Sequence, residues 1–502
     1  MIPRRSFLKL SAGAGASFGL GGLLDGKLPH VTAEEASLPK GMVQFHPDIE
    51  PLVRLLEDTP RDQAIEKVAE RIRSGTSYRE ILAALFLAGV RNVQPRPVGF
   101  KFHAVLVVNS AHLASLASAD SERWLPILWA IDQFKSSQEA DVKQGDWTMA
   151  SLDDSSLPPA HQARAAFITA MDAWDESAAD NAVAALARTA STDDLFELFA
   201  RYGSRDFRDI GHKAIYVANS FRCLEVIGWH HAEPVLRSLA YALLDRSGDG
   251  GNPAQSDFAA DRPGRENLEL VTTVRDHWWD GKPSADATRE LLALTRQESS
   301  RDVSALVVKQ LNDGVAPQSI FDALFCGAGE LLMRAPGILA LHAMTCTNAL
   351  HYAWQRVRDD QTRKLILLQN AAFLPLFRGN RSGEGVRIDE LEALPAQAGG
   401  NDAVAKIFAD ISSDRLAASR EILGYLQANS DPRPFAETAR RLIFLKGTNA
   451  HDYKFSSAVL EDYQHLSPPW RDYVLASSAF NLRGSGDKDS GLLERSRAAL
   501  NA

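Results

Sequence analysis

Six histidines stand in a spacing that could hold a metal or move protons. The pattern His-Ala-x4-Asn-x-x-His occurs twice, as His103, Asn109 and His112 and again as His342, Asn348 and His351. A further histidine follows the first of each set by 109 residues, giving His212 and His451. Neutral imidazole is a common ligand for iron, copper and zinc, and its proton exchanges near neutral pH. On one straight helix, at about 100° per residue, His103 and Ser110 share a face while His112 points almost oppositely. One helix therefore cannot aim both of its histidines at one metal, although Asn109 and His112, three apart, are neighbours. The expectation is that His103, His212, His342 and His451 converge as metal ligands or catalytic acid/base groups. Iron, copper, zinc or a non-covalent haem are the candidate cofactors. Asn109, Asn348, His112 and His351 are then expected behind them, orienting the rings by hydrogen bonds. The competing expectation is that each histidine merely caps or bridges its own helices, far from the others.

The spacing belongs to a larger repetition. The segment Ile81 to His112 lies without a gap over Ile320 to His351, at an offset of 239 residues, and nine of the 32 positions are identical. Chance would give roughly two for chains of ordinary composition. The same offset pairs Gly75 with Gly314, Phe196 with Phe435, Arg201 with Arg440, and His212 with His451. Two tandem halves related by duplication follow, and a site at their interface would be built from such recurring polar residues.

Carboxylates do not recur in this way. Glu330 stands where the first half has Arg91, Asp452 where it has Lys213, and Asp132 matches Ala371. A dimetal carboxylate site would want Glu-x-x-His pairs, and none is present. The cluster Gly228-Trp229-His230-His231 has no counterpart in the other half, and Trp278-Trp279 reads as packing between halves or a lip over a cleft. Gln369 and Asn370, on an apolar helix, read as buried amides. No serine or cysteine carries a local nucleophile signature.

The elements that must position these groups are helices. Apolar residues recur at three-four spacing from Asp62 to Arg73, ended by Gly75, and from Asp302 to Asn312, ended by Gly314. Second helices run from Tyr78 to Val90 and from Pro317 to Met333, and a third in each half starts near the repeated histidine after Pro95, Pro97 or Pro336. β-branched alternating runs between turn residues are almost absent. The expected fold is all-α, two tandem duplicated halves of stacked helical hairpins packed about a pseudo-twofold axis. The segments are a signal peptide at 1–33, an extension at 34–61, one half at 62–246, a partly helical connector at 247–300, the second half at 301–489 and a tail at 490–502.

Arg4-Arg5-Ser6-Phe7-Leu8-Lys9, followed by a Gly/Ala-rich apolar stretch and Val31-Thr32-Ala33, reads as a twin-arginine signal cleaved after Ala33. Export in the folded state by the twin-arginine translocation machinery to the periplasm or another extracytoplasmic compartment is the expectation, with no stable membrane span in the mature chain. A net charge of -9 argues against a nucleic-acid surface. Cys223, Cys326 and Cys346 sit in apolar helical contexts and read as buried thiols.

The histidine-led helices (His103-Ala104 through His112, Gly211-His212-Lys213-Ala214, Leu341-His342-Ala343) resemble the repeated histidine helices of the questin oxidase-like family. The resemblance covers the four histidine blocks. It implies an oxygen-dependent, Baeyer–Villiger-type oxidoreductase. Twin-arginine export departs from the cytoplasmic fungal members and puts NADPH dependence in doubt. The reading is an exported oxidoreductase acting on a small organic substrate in a histidine-lined cavity between the halves. Its alternatives are a non-catalytic helical scaffold, and a helical lyase or hydrolase.

Overall fold

The computed structural model describes residues 42–502 apart from 247–252, 254–255, 382–384, 396–399 and 430. The expected signal at 1–33, the start of the expected extension and part of the expected connector lie outside the described residues. Among the described residues the fold is all-α: helices follow one another from Glu50–Asp58 to Leu493–Asn501, and the only β pairing is two isolated bridges. None of the helices among the described residues is long and apolar enough to cross a membrane.

Local chemistry sets the helix ends. Ser77 and Glu80 form a capping box at the start of Tyr78–Asn92, and Asn449 with Asp452 does the same for Ala450–Asp462. Asp175, Ser191, Ser299, Asp359 and Asp414 accept hydrogen bonds from first-turn amides of the helices they precede. Helices Arg61–Arg73 and Ser300–Asn312 end before Gly75 and Gly314, whose φ of 96° and 85° lie in the left-handed region.

The helix starts recur along the chain at the spacing seen in the sequence. Arg61–Arg73, Tyr78–Asn92 and Glu176–Thr189 are followed 239 residues later by helices beginning at Ser300, Pro317 and Arg415. Their apolar faces bury one continuous core from Val43 to Ala499.

At the centre four helices close a ring. The His103 helix (His103–Leu106 continued by Val108–Leu116) packs on the His212 helix (His212–Ile227). That helix packs on the His342 helix (Ile338–Arg356), which meets the His451 helix (Ala450–Asp462), and the last returns to the first. Hydrogen bonds fix the seams: Asn219 Nδ2 donates to Leu106 O at 2.8 Å, and the hydroxyls of Ser457 and Ser110 meet at 2.8 Å. Arg222 reaches across from the His212 helix to grip both carboxylate oxygens of Glu461 at 2.8 and 2.9 Å. Arg222 and Glu461 are 239 residues apart, the same offset that separates the paired histidines.

Candidate functional site

Each of the four ring helices carries its histidine in the first turn or just after it. His103 and His212 are the first residues of their helices, His451 the second and His342 the fifth. Helical side chains lean back toward the N-terminus, so the four imidazoles are thrown into the space where the helix starts meet. They do converge: one ring nitrogen from each of His103, His212, His342 and His451 lies within 4.8 Å of all the others. Ring centroids are 4.2 Å apart for His212 and His342, 4.4 Å for His103 and His451, and 6.2 Å for His103 and His342.

Backbone carbonyls set the tautomers. His212 Nδ1 lies 2.6 Å from Asp209 O and His342 Nδ1 lies 2.7 Å from Ile338 O. A carbonyl only accepts, so both Nδ1 atoms carry the proton and both Nε2 atoms present a lone pair to the centre. His103 Nε2 lies 2.8 Å from His212 Nε2 and supplies the hydrogen of that contact. The Nε2 atoms of His342 and His451 are buried and have no hydrogen-bond partner among the described residues. Capping and clustering, the two competing expectations for these histidines, are thus both present in His212 and His342.

The turn ahead of His212 is held in an uncommon conformation. Asp209, Ile210 and Gly211 are all left-handed, with φ of 53°, 48° and 80°. For the two non-glycine residues this costs of order 1 kcal/mol or more each. It aims the Asp209 carbonyl at His212, while the Asp209 carboxylate accepts a hydrogen bond from Val98 N at 3.0 Å. Gly211 also lets the helices approach: a Cβ there would stand 2.5 Å from Cys346 Sγ on the His342 helix.

Burial controls the charge of the cluster. It holds His103, His212 and His342 well below the ordinary histidine range, and His451 at about 3, with the neighbouring Lys454 acting in the same direction. All four imidazoles are therefore neutral at pH 7, the form that binds metal. Lys454, one turn beyond His451, is fully buried, its amine has no hydrogen-bond partner among the described residues, and burial pulls it down to about 7. His212 and His342 are buried while His103 and His451 are half-buried, so the cluster is reached from the side of the latter two.

A four-coordinate metal with bonds of about 2.0–2.1 Å holds tetrahedral nitrogens roughly 3.4 Å apart and trans nitrogens of a square about 4 Å apart. The observed spacings, from 2.8 Å between His103 and His212 to at most 4.8 Å within the set, bracket both distances. The donor set is all nitrogen. The carboxylates considered as ligands go elsewhere: Glu330 pairs with Arg296 and Arg334, Asp132 with Arg61, and Asp452 with Arg483 and its own helix start.

The four residues expected to orient the rings do not do so. Asn348 donates to Asp462 at 2.7 Å and Glu461 at 3.0 Å, which ties the His342 helix to the His451 helix. Asn109 lines a separate cavity, with no hydrogen bond to any histidine. His112 meets the Tyr78 hydroxyl at 3.0 Å, and His351 sits among Phe321, Phe325, Trp354 and His465. The reason is the helical pitch: six to nine residues along a helix is about 9–14 Å from the clustered ends. The backbone carbonyls of Asp209 and Ile338 take that task, and no side-chain motif announces a carbonyl. Lys454 carries no sequence signal of its own, since the residue 239 positions earlier is Ile215.

His230 and His231 pack against each other near His46, away from the ring. Trp278 is fully buried, its indole N–H donating to Asp360 at 2.7 Å, while Trp279 is exposed. Gln369 joins Asn267 to the carbonyls of Ser204 and Arg205. The three cysteines are buried free thiols. Compared with known proteins, the chain matches no family model, no curated protein and no solved structure.

Proposed function

We propose that the chain is an oxidoreductase whose four-histidine cluster binds one transition-metal ion and oxidises a small organic substrate. The convergence of four neutral imidazoles, with the Nε2 atoms of His342 and His451 bare and the rings of His212 and His342 fixed by backbone carbonyls, carries this reading. Four imidazoles suit iron, copper or zinc. Being uncharged, they leave the full charge of the ion uncompensated, and in a buried site that favours the lower oxidation state and hence an oxidising centre. Lys454 and the helix N-termini add positive potential, which favours an anion beside the ion. A metal paired with an ionised oxygen of the substrate meets both demands. The resemblance of the histidine helices to the questin oxidase-like family points the same way, toward oxygen-dependent chemistry.

The turn leading into His103 and the start of the His342 helix carry Phe100 and Ile338, both exposed, an apolar rim suited to an organic substrate. In this proposal the two halves arose by duplication about a pseudo-twofold axis, with the site on their seam, and the protein works in the periplasm after twin-arginine export. A scaffold whose histidines are buried separately is disfavoured by ring centroids only 4.2 to 6.2 Å apart.

The test is reconstitution of the mature protein with ferrous iron, copper(II) or zinc in turn. Metal should bind near one ion per chain, and iron- or copper-loaded protein should consume oxygen with an organic substrate. Single alanine changes at His103, His212, His342 and His451 should each weaken metal binding at least tenfold. Retention of full metal content and activity by all four variants would refute the proposal.

A further inference from the structure

The ring helices enclose a second feature at some distance from the histidines. A cavity of about 640 Å³ opens among the later turns of the His103, His212 and His451 helices and the helix Arg433–Lys446. None of the four clustered histidines lines it. Its volume is that of a small-molecule site. Leu113, Val226, Ile443 and Leu460 give it apolar walls.

Its charges are unequally matched. Arg222 is held by Glu461 and Glu225 by Arg356, so these acids and bases cancel. Arg440 is half-buried in the cavity wall and makes no hydrogen bond or ion pair among the described residues. The carboxylate that acts on it is Glu437, one turn earlier on its own helix. Asn109, only 4 % exposed, also lines the cavity, and its amide makes no hydrogen bond among the described residues. A buried amide and a half-buried guanidinium left unmatched in a walled cavity are groups awaiting a ligand.

We infer that this cavity binds a small organic acid, its carboxylate on the guanidinium of Arg440 and its apolar body against Leu113, Val226, Ile443 and Leu460. The Asn109 amide offers a second polar contact. The site is separate from the histidine cluster and does not depend on a metal. Arg440 supplies the planar pair of N–H donors that a carboxylate matches, and a neutral ligand of the same shape leaves it unmatched.

The experiment is calorimetric titration of the mature protein, both metal-free and metal-loaded, with 4-phenylbutyrate and with its uncharged counterpart 4-phenylbutan-1-ol. The acid should bind both forms of the protein, at least roughly tenfold more tightly than the alcohol, as a charge-assisted hydrogen bond requires. Arg440→Gln should bring the acid down to the level of the alcohol. Arg433→Gln, an exposed change on the same helix, should leave it unaltered. Equal binding of acid and alcohol, no binding of either, or full retention of acid binding by Arg440→Gln would overturn the inference. Because the metal-free protein is included, failure here and failure of the metal reading are told apart.

Discussion

Replacing Lys454 by methionine should make the metal-free protein more stable, and by an amount that depends on pH. The lysine is 2 % exposed and its Nζ has no hydrogen-bond partner among the described residues, so the folded chain gives its charge no compensation. Burial lowers the amine from 10.5 to about 7. In the unfolded chain it is an ordinary lysine, protonated up to pH 10 or so. The folded state thus binds fewer protons than the unfolded state between pH 7 and 10.5. Wild-type stability rises with pH across that window, and the full penalty applies below it. At pH 7 the penalty is about 4 kcal/mol, and at pH 9.5 about 1 kcal/mol. Methionine has a similar unbranched shape and no charge to bury. With an unfolding entropy of about 2 cal/mol/K per residue over roughly 460 residues, Lys454→Met should raise Tm by about 4 °C at pH 7. At pH 9.5 the gain should shrink to about 1 °C by the same conversion. Differential scanning fluorimetry of metal-free wild type and variant at the two pH values measures both. A variant that melts lower than wild type, or a gap equal at both pH values, would show that Lys454 is not an uncompensated buried amine.

The four histidines give the opposite end of the pH profile. Their folded forms stay neutral while the unfolded chain takes up protons near pH 6.5, so metal-free stability should fall below that pH. The slope should reach about 1.4 kcal/mol per pH unit for each ring, and a His103→Gln/His451→Gln double variant should flatten it in melts from pH 7.5 to 5. Gly211→Ala should cost about 1–3 kcal/mol, because φ is +80° and the new Cβ meets Cys346 Sγ. It should also displace His212, read as a lower metal affinity alongside a lower denaturation midpoint. Arg222→Ala should cost only about 1 kcal/mol, since Glu461 remains 32 % exposed and keeps much of its hydration. Its metal content should not change, because the ion pair lies ten residues from His212 along the helix.

The sequence carried the helices because their ends are written in local chemistry: Gly75 and Gly314 as stops, Pro317 as a first-turn residue, and apolar three-four spacing between them. It also carried the four ligating candidates, because recurrence at a fixed offset singles out His103 with His342 and His212 with His451. What it could not carry was direction. The pitch of the helix removes Asn109, Asn348, His112 and His351 from the cluster, and the rings are steered by the carbonyls of Asp209 and Ile338. Lys454 stands out less because the position 239 residues earlier holds Ile215. Arg222 and Glu461 were accessible in principle, as opposite charges at the offset that separates the paired histidines, but only once a contact across the ring is considered. The unmatched Arg440 is visible only after every neighbouring acid has been paired with its own base.

X-ray absorption spectroscopy on the metal-loaded mature protein, with a His103→Ala/His342→Ala double variant beside it, tests the central claim most directly. One iron or copper per chain should show a first shell of four imidazole nitrogens at about 2.0–2.1 Å, with the multiple-scattering pattern of histidine rings, and the double variant should lose the metal. A wild-type protein that takes up no metal, a shell of sulfur or carboxylate ligands, or a double variant that keeps an unchanged spectrum would contradict it.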